Sequence, residues 1–165
     1  MVDFRIGVGY DSHRFSTDAE RAFILGGVHI KNVPGLVGHS DADVLVHAII
    51  DALLGAVAMG DIGSHFPDTD EKWAGADSMK MLVAVMEEIF EAGWRVGNVD
   101  AVVICERPKL RPYIDLMRER IAAVLGVECA AVSIKGKTNE KMDDVGAGVG
   151  VSVHAVAILK KENSK

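Results

Sequence analysis

Between Asp41 and Met59 the apolar residues Val44, Leu45, Ala48, Ile49, Ala52, Leu53 and Val57 recur every three or four positions. An α-helix returns side chains to one face at that interval, whereas a strand does so every second residue. The segment therefore predicts an amphipathic helix, with Asp41 as its N-cap. His47 lies within the pattern, one turn beyond Asp43. A histidine there has two readings: a core histidine on a helix that Asp41 merely starts, or a ligand turned towards a site.

Asp11-Ser12-His13 upstream decides between them. If that segment stays extended, Asp11 and His13 share one side of a strand. Two imidazoles and a carboxylate around an open fourth position are the usual make-up of a catalytic zinc site. With His47 added to this pair, the ligand reading prevails. Asp43 and Asp51, one helical turn either side of His47, are each placed to orient its ring as an outer carboxylate. Spacing alone does not choose between them.

The rest of the chain alternates strands and helices without a linker or a repeat. Phe4 to Tyr10 and Ala22 to Leu25 read as strands, the second ending at Gly26-Gly27, with another turn at Asn32-Val33-Pro34-Gly35. Asp77 to Ala92 and Tyr113 to Leu125 read as helices closed by Gly93 and Gly126; Val99 to Ile104, Ala131 to Lys135 and Val149 to Leu159 read as strands. A frayed tail is expected over Lys160 to Lys165. The expectation is one domain over residues 1–165: an α+β sandwich of a mostly antiparallel sheet with helices on one face.

Composition narrows the function. A chain of 165 residues can bury about 70% of its unfolded surface, so a full core is available. A formal charge of −6 argues against nucleic acid as a partner, since such binders need a basic face. An acidic protein holding an anionic substrate needs metal ions or a few placed cations. Cys105 and Cys129 have no C-x-x-C spacing, and Cys105 reads as a reduced structural thiol. With no signal segment and no apolar run near 18 residues, the expectation is a cytoplasmic protein without a membrane partner.

Three loops stand out beside the helix. Gly60 to Lys72, with Asp61, Gly63, His65, Asp68 and Asp70, is long and acidic enough to be functional; a solvated acidic turn is the plain alternative. Arg107-Pro108-Lys109-Leu110-Arg111-Pro112 lies between a strand and a helix, where amides and cations can meet an anion. Lys135-Gly136-Lys137-Thr138-Asn139-Glu140-Lys141 combines cations, a hydroxyl and a carboxylate able to hold magnesium. Gly146-Ala147-Gly148-Val149-Gly150 lacks the spacing of a dinucleotide fingerprint, and close backbone packing is its better reading.

Arg5 to Phe15, Gly38-His39-Ser40-Asp41-Ala42-Asp43, Asp51 to Ala56, Gly60 to Gly63 with Phe66 to Asp70, and Lys137 to Glu140 occur in order along nearly the whole chain. In this combination the sequence resembles the 2-C-methyl-D-erythritol 2,4-cyclodiphosphate synthase family. The resemblance implies a homotrimer around a central axis, with active sites between neighbours. It implies Zn2+ on Asp11, His13 and His47, Mg2+ or Mn2+ on Glu140, and catalytic roles for His39 and Thr138. It also implies a cytidine-diphosphate substrate. Cytosine would be received by the backbone of Cys105, Glu106, Arg107, Pro108, Lys109, Leu110 and Arg111, and ribose by Asp61, Ile62 and Gly63. Phe66, Pro67, Asp68, Thr69 and Asp70, with His39 and Ser40, would face the methylerythritol. Asp11, Ser12, His13, Lys137, Thr138, Asn139 and Glu140 would lie along the phosphates. The implied reaction is intramolecular attack of a 2-phosphate on the β-phosphorus, releasing CMP.

The sequence departs from that pattern near its C-terminus. Asp143-Asp144 stand where the family commonly has Gly-aromatic, and Ala147 and Val149 where it commonly has Arg and Glu. The resemblance therefore does not extend to an anion-binding role for the trimer axis. Two rival classes share much of the signal, a metal-dependent phosphohydrolase and a non-catalytic trimeric metal-binding protein.

Overall fold

Gly7 and Gly9, two residues apart in Phe4-Arg5-Ile6-Gly7-Val8-Gly9-Tyr10, set how helix and sheet meet. The computed structural model describes residues 3–162. In it β1 (Phe4–Arg14) runs beneath α1 (Val44–Val57). A Cβ on Gly7 or Gly9 would sit 1.9 Å from the carbonyl oxygen of Ala52 or Ala48 respectively. The helix backbone thus rests directly on the strand, and only glycine permits so close an approach. Opposite them on β6 (Gly150–Lys161) stand Ala157 and Ala155, also small.

Four strands form the main sheet in the order β1-β6-β4-β5, with β4 at Trp94–Ile104 and β5 at Val132–Lys137. β1 and β4 pair antiparallel with β6, and β4 and β5 pair parallel. β1, β4 and β5 therefore point the same way, and their C-terminal ends share one end of the sheet. Helices α1, α3 (Ser78–Glu91) and α4 (Ile114–Leu125) cover one face. Leu45, Ile49 and Leu53 of α1 are fully buried. Each such side chain stabilises the fold by roughly 1.5–3 kcal/mol through transfer from water.

The opposite face is open. Phe4, Ile6, Val8 and Tyr10, the outward residues of β1, are 59%, 61%, 70% and 55% exposed, and Val156 beside Val8 is 41% exposed. β6 is a central strand whose other side is core, so the apolar surface left open belongs mainly to β1.

The expected layers are present, with local differences. Asp43, not Asp41, is the N-cap of α1: its carboxylate accepts from the amides of Val46, Gly26 and Gly27 at 3.1, 2.9 and 2.7 Å. Asp41 instead accepts from the amide of Ser78 at 3.0 Å and from its hydroxyl. The turn at Gly26-Gly27 closes a small hairpin of β2 (Phe23–Leu25) and β3 (Val28–Ile30), too short for an alternating pattern to reveal. The Gly60–Lys72 loop carries a one-turn helix α2 (Ile62–His65) and part of a 3-10 turn at Glu71–Trp73. β4 begins directly after Gly93, and Lys160 and Lys161 extend β6 rather than fray. Residues 163–165 of the expected tail lie outside the described residues. Among the described residues no helix is long and apolar enough to cross a membrane.

Candidate active site

β1 stays extended through Arg14, so Asp11 and His13 follow Gly7 and Gly9 on its inward side. The helix seated on those glycines brings His47 over the pair. His13 Nε2 lies 2.9 Å and His47 Nδ1 3.0 Å from Asp11 Oδ2, and the two ring nitrogens are 3.3 Å apart. Four tetrahedral ligands 2.0–2.1 Å from a zinc ion are spaced roughly 3.3 Å apart. The donor set and its edges therefore fit such an ion with one position open. Burial opposes charge on both Asp11 and His13, but the hydrogen bonds and attraction between them prevail. Asp11 is held well below the usual carboxylate range, and His13 is raised above 6.5.

Each imidazole is fixed by its second nitrogen. His13 Nδ1–H donates to the carbonyl of Val37 at 2.6 Å, leaving Nε2 free for a ligand. His47 Nε2–H points to the hydroxyls of Ser78 at 2.9 Å and Ser40 at 3.2 Å, leaving Nδ1 facing Asp11. Ser78, fully buried at the start of α3, passes its own hydrogen to Asp41. The carboxylate that orients His47 is thus Asp41, acting through Ser78. Neither expected candidate serves: Asp43 is spent on the helix cap, and Asp51 accepts from the amide of Ile62 at 2.8 Å. Burial, opposed by that amide, pushes Asp51 upward.

A cavity of about 290 Å³ opens beside the cluster, lined by Asp11, His13, His39, Ser40, His47, Asp51, Ile62, Gly63, Phe66, Asp68, Trp73 and Met81. Asp61 stands at its edge as N-cap of α2, in a capping box with Ser64, and is exposed. Pro67, Thr69 and Asp70 follow on the exposed loop, where the Asp70 carbonyl lies 3.3 Å from His39 Nε2. Ser12 points to the outer face of β1 and is not part of this lining. Arg21 holds the 36–40 loop through the carbonyls of Leu36, Gly38 and Ser40.

A second cavity, about 500 Å³, lies at the far edge of the sheet. Its lining includes Cys105, Glu106, Pro108, Lys109, Leu110, Arg111, Lys137 and Thr138. β4 and β5 end side by side at Ile104 and Lys137. A crevice outside the carboxyl ends of parallel strands is a common ligand position. Arg107, Asn139 and Glu140 flank it, and Glu140 Oε1 accepts from the Thr138 hydroxyl at 2.8 Å. Burial pushes the Cys105 thiol up to about 11, although the Arg107 carbonyl is within its reach. Three strand spacings, roughly 14 Å, separate this edge from β1. Glu140 is not among the three clustered ligands Asp11, His13 and His47.

A model of the YgbB family matches residues 4–160. The chain belongs to the YgbB family. A curated 2-C-methyl-D-erythritol 2,4-cyclodiphosphate synthase of Thermosynechococcus vestitus is 56% identical over 160 residues, which are 97% of this chain and 98% of that one. The synthase of Alcanivorax borkumensis is 52% identical over 98% of this chain and all of its own. Among solved structures, the Plasmodium falciparum IspF CDP complex superposes with a TM-score of 0.84 at 35% identity over 97% of both chains. The bifunctional IspDF of Campylobacter jejuni reaches 0.93 at 36% identity; 99% of this chain matches 44% of that longer one. In this YgbB member, Ser78, Arg21, Trp73 and Met81 are among the residues that spacing did not single out. Ser78 gave one usable signal, its place directly after the capping residue Asp77 at a helix start.

Proposed function

We propose that the chain converts 4-diphosphocytidyl-2-C-methyl-D-erythritol 2-phosphate into 2-C-methyl-D-erythritol 2,4-cyclodiphosphate and CMP, in the non-mevalonate isoprenoid pathway of the cytoplasm. The observation that carries this reading is the Asp11–His13–His47 cluster in a chain matched end to end by curated synthases. An oxygen of the 2-phosphate attacks the β-phosphorus, and the bond from that phosphorus to the bridging oxygen breaks, sending its electron pair out with CMP. The nucleophile is already an anion, so no general base is required. The tasks left to the protein are folding the substrate back, screening its charge and excluding water.

Zinc on Asp11, His13 and His47, and magnesium or manganese on Glu140, would supply positive charge to the diphosphate in a protein of net −6. Lys109 and Lys137, in the crevice at the far edge, add cations of the chain's own. The backbone of 105–111 receives cytosine, and Asp61 with Gly63 receives ribose. Ser40, Phe66 and Asp68 enclose the methylerythritol, with Pro67, Thr69 and Asp70 along the rim. His39 and Thr138 bear on the phosphates from opposite sides.

The two halves of this site lie at opposite edges of one sheet but at the same end of it. A homotrimer, with β1 of one subunit meeting the β5 edge of the next, unites them. The open strip of Phe4, Ile6, Val8, Tyr10 and Val156 supports that assembly, because soluble monomers rarely expose so continuous an apolar surface. The test is phosphorus NMR of the products, with metal content assayed in parallel. The cyclic diphosphate with stoichiometric CMP is expected. A linear diphosphate would make the protein a hydrolase, and an absence of turnover would leave a metal-binding protein.

A further inference from the structure

The loop after β5 holds its backbone in an unusual conformation. Glu140, Lys141 and Asp143 all have positive φ, at 51°, 61° and 55°. L side chains keep that conformation only where the surroundings hold them there. Gly146 supplies one part of the hold: a Cβ on it would come within 2.4 Å of the Lys141 carbonyl carbon. Asn139 supplies another, its side-chain amide donating to the Met142 carbonyl at 3.0 Å and to Asp143 at 2.7 Å.

The third part comes from the neighbouring strand. The parallel ladder continues one step past β4, where the Cys105 amide donates to the Lys137 carbonyl at 2.8 Å. Glu106 follows, and its Oε1 reaches across to accept from the amides of Asn139 at 2.8 Å and Lys141 at 3.3 Å. Those amides bracket Glu140, whose carboxylate is joined to the Thr138 hydroxyl. Glu106 is half-buried, while Thr138 and Glu140 are exposed. One carboxylate oxygen thus ties down the backbone on both sides of the residue proposed to hold the second cation.

We propose that Glu106 is a positioning residue that fixes the 139–141 backbone, so that Thr138 and Glu140 present their oxygens to the reacting phosphates. The role belongs to the side chain and leaves the backbone of 105–111 to the nucleotide. It rests on the reading of the loop as part of the synthase site. Loss of the carboxylate frees two amides and lets Glu140 and Lys141 relax from positive φ. The crevice that receives the nucleoside keeps its other walls, Cys105 and Pro108 to Arg111.

The test compares wild type, Glu106→Ala and Glu106→Gln in turnover, in CMP affinity by calorimetry and in amide hydrogen exchange. Losing a charge-assisted acceptor lowers kcat by about 10- to 100-fold in Glu106→Ala. CMP, which does not span the loop, binds within about threefold of wild type. The glutamine carbonyl accepts from the same amides, so Glu106→Gln recovers most of the turnover. Exchange at Asn139 and Lys141 accelerates in the alanine variant. CMP affinity falling in step with kcat would overturn the proposal by making Glu106 a nucleotide contact. Unchanged turnover, or a glutamine variant as slow as alanine, would overturn it too. Should wild type form no cyclic product, the functional reading fails, yet unaltered exchange at Asn139 and Lys141 would still defeat the clamp independently.

Discussion

Gly9→Ala is a single-methyl change with a large expected effect. The new Cβ would lie 1.9 Å from the Ala48 carbonyl oxygen and 2.7 Å from the Ala52 amide nitrogen, so α1 must lift by roughly 1.5 Å to restore ordinary contact. Both obstacles are helix backbone and cannot rotate aside. Overpacking of a core typically costs about 1–3 kcal/mol, and this site belongs at the upper end. His47 immediately precedes Ala48, and its nitrogen is 3.0 Å from Asp11. Zinc ligands tolerate about 0.2 Å of misplacement, so the same lift separates His47 from the other two. The loss in zinc affinity should exceed the 10- to 100-fold typical of removing an outer-sphere partner. Urea unfolding and zinc competition against a chelator measure the two effects. Gly55→Ala on the same helix is the control: its Cβ meets only the Val8 carbonyl at 3.8 Å, so it should stabilise by about 0.5–1 kcal/mol. A Gly9→Ala protein with wild-type stability and zinc affinity would refute the seating of α1 on β1.

Ser78→Ala removes the link between His47 and Asp41 and should weaken zinc binding about 10- to 100-fold while the fold survives; undiminished affinity in chelator competition would remove Ser78 from the site. In metal-free protein, Asp11 contributes stability above the ordinary carboxylate range and loses it in acid, whereas His13 contributes below 6.5 and loses it as pH rises through its raised value. Metal-free stability should therefore peak near pH 5–6.5 and fall towards pH 8, while zinc, which needs neutral His13, stabilises more as pH rises. Urea midpoints with and without chelator check both slopes, and a metal-free midpoint that climbs from pH 6 to 8 would contradict them. Farnesyl diphosphate should bind weakly or not at all, because Ala147 offers no charge and Asp144 is exposed nearby. Micromolar binding in a titration, unimproved by Ala147→Arg, would contradict that.

The parts of this molecule that follow from short-range periodicity were legible in the sequence. The stripe from Val44 to Val57 is a helix, and strand spacing put Asp11 and His13 on one side. The carboxylate behind His47 was not legible, because the route from Asp41 runs through Ser78, distant in sequence and joined only by the packing of α3. Asp41 and Asp43 compete for one cap, and the outcome depends on where the Gly26-Gly27 amides lie after folding. The glycines of β1 read as ordinary strand residues until the helix is seated on them. Glu106 sits inside a stretch that resembles a nucleotide contact, and only the left-handed backbone of Glu140 and Lys141 shows what its carboxylate holds.

The proposed site is assembled from two chains, with the metal cluster from one and the Thr138–Glu140 loop from its neighbour. Co-expression of His47→Ala and Glu140→Gln chains tests it most directly. Each variant alone should be nearly inactive. In trimers mixed at random, about a quarter of the interfaces pair an intact metal cluster with an intact Glu140, and activity should return to roughly that fraction of wild type. A mixed population as inactive as its parents would place both residues in a site within one chain and rule out the shared site.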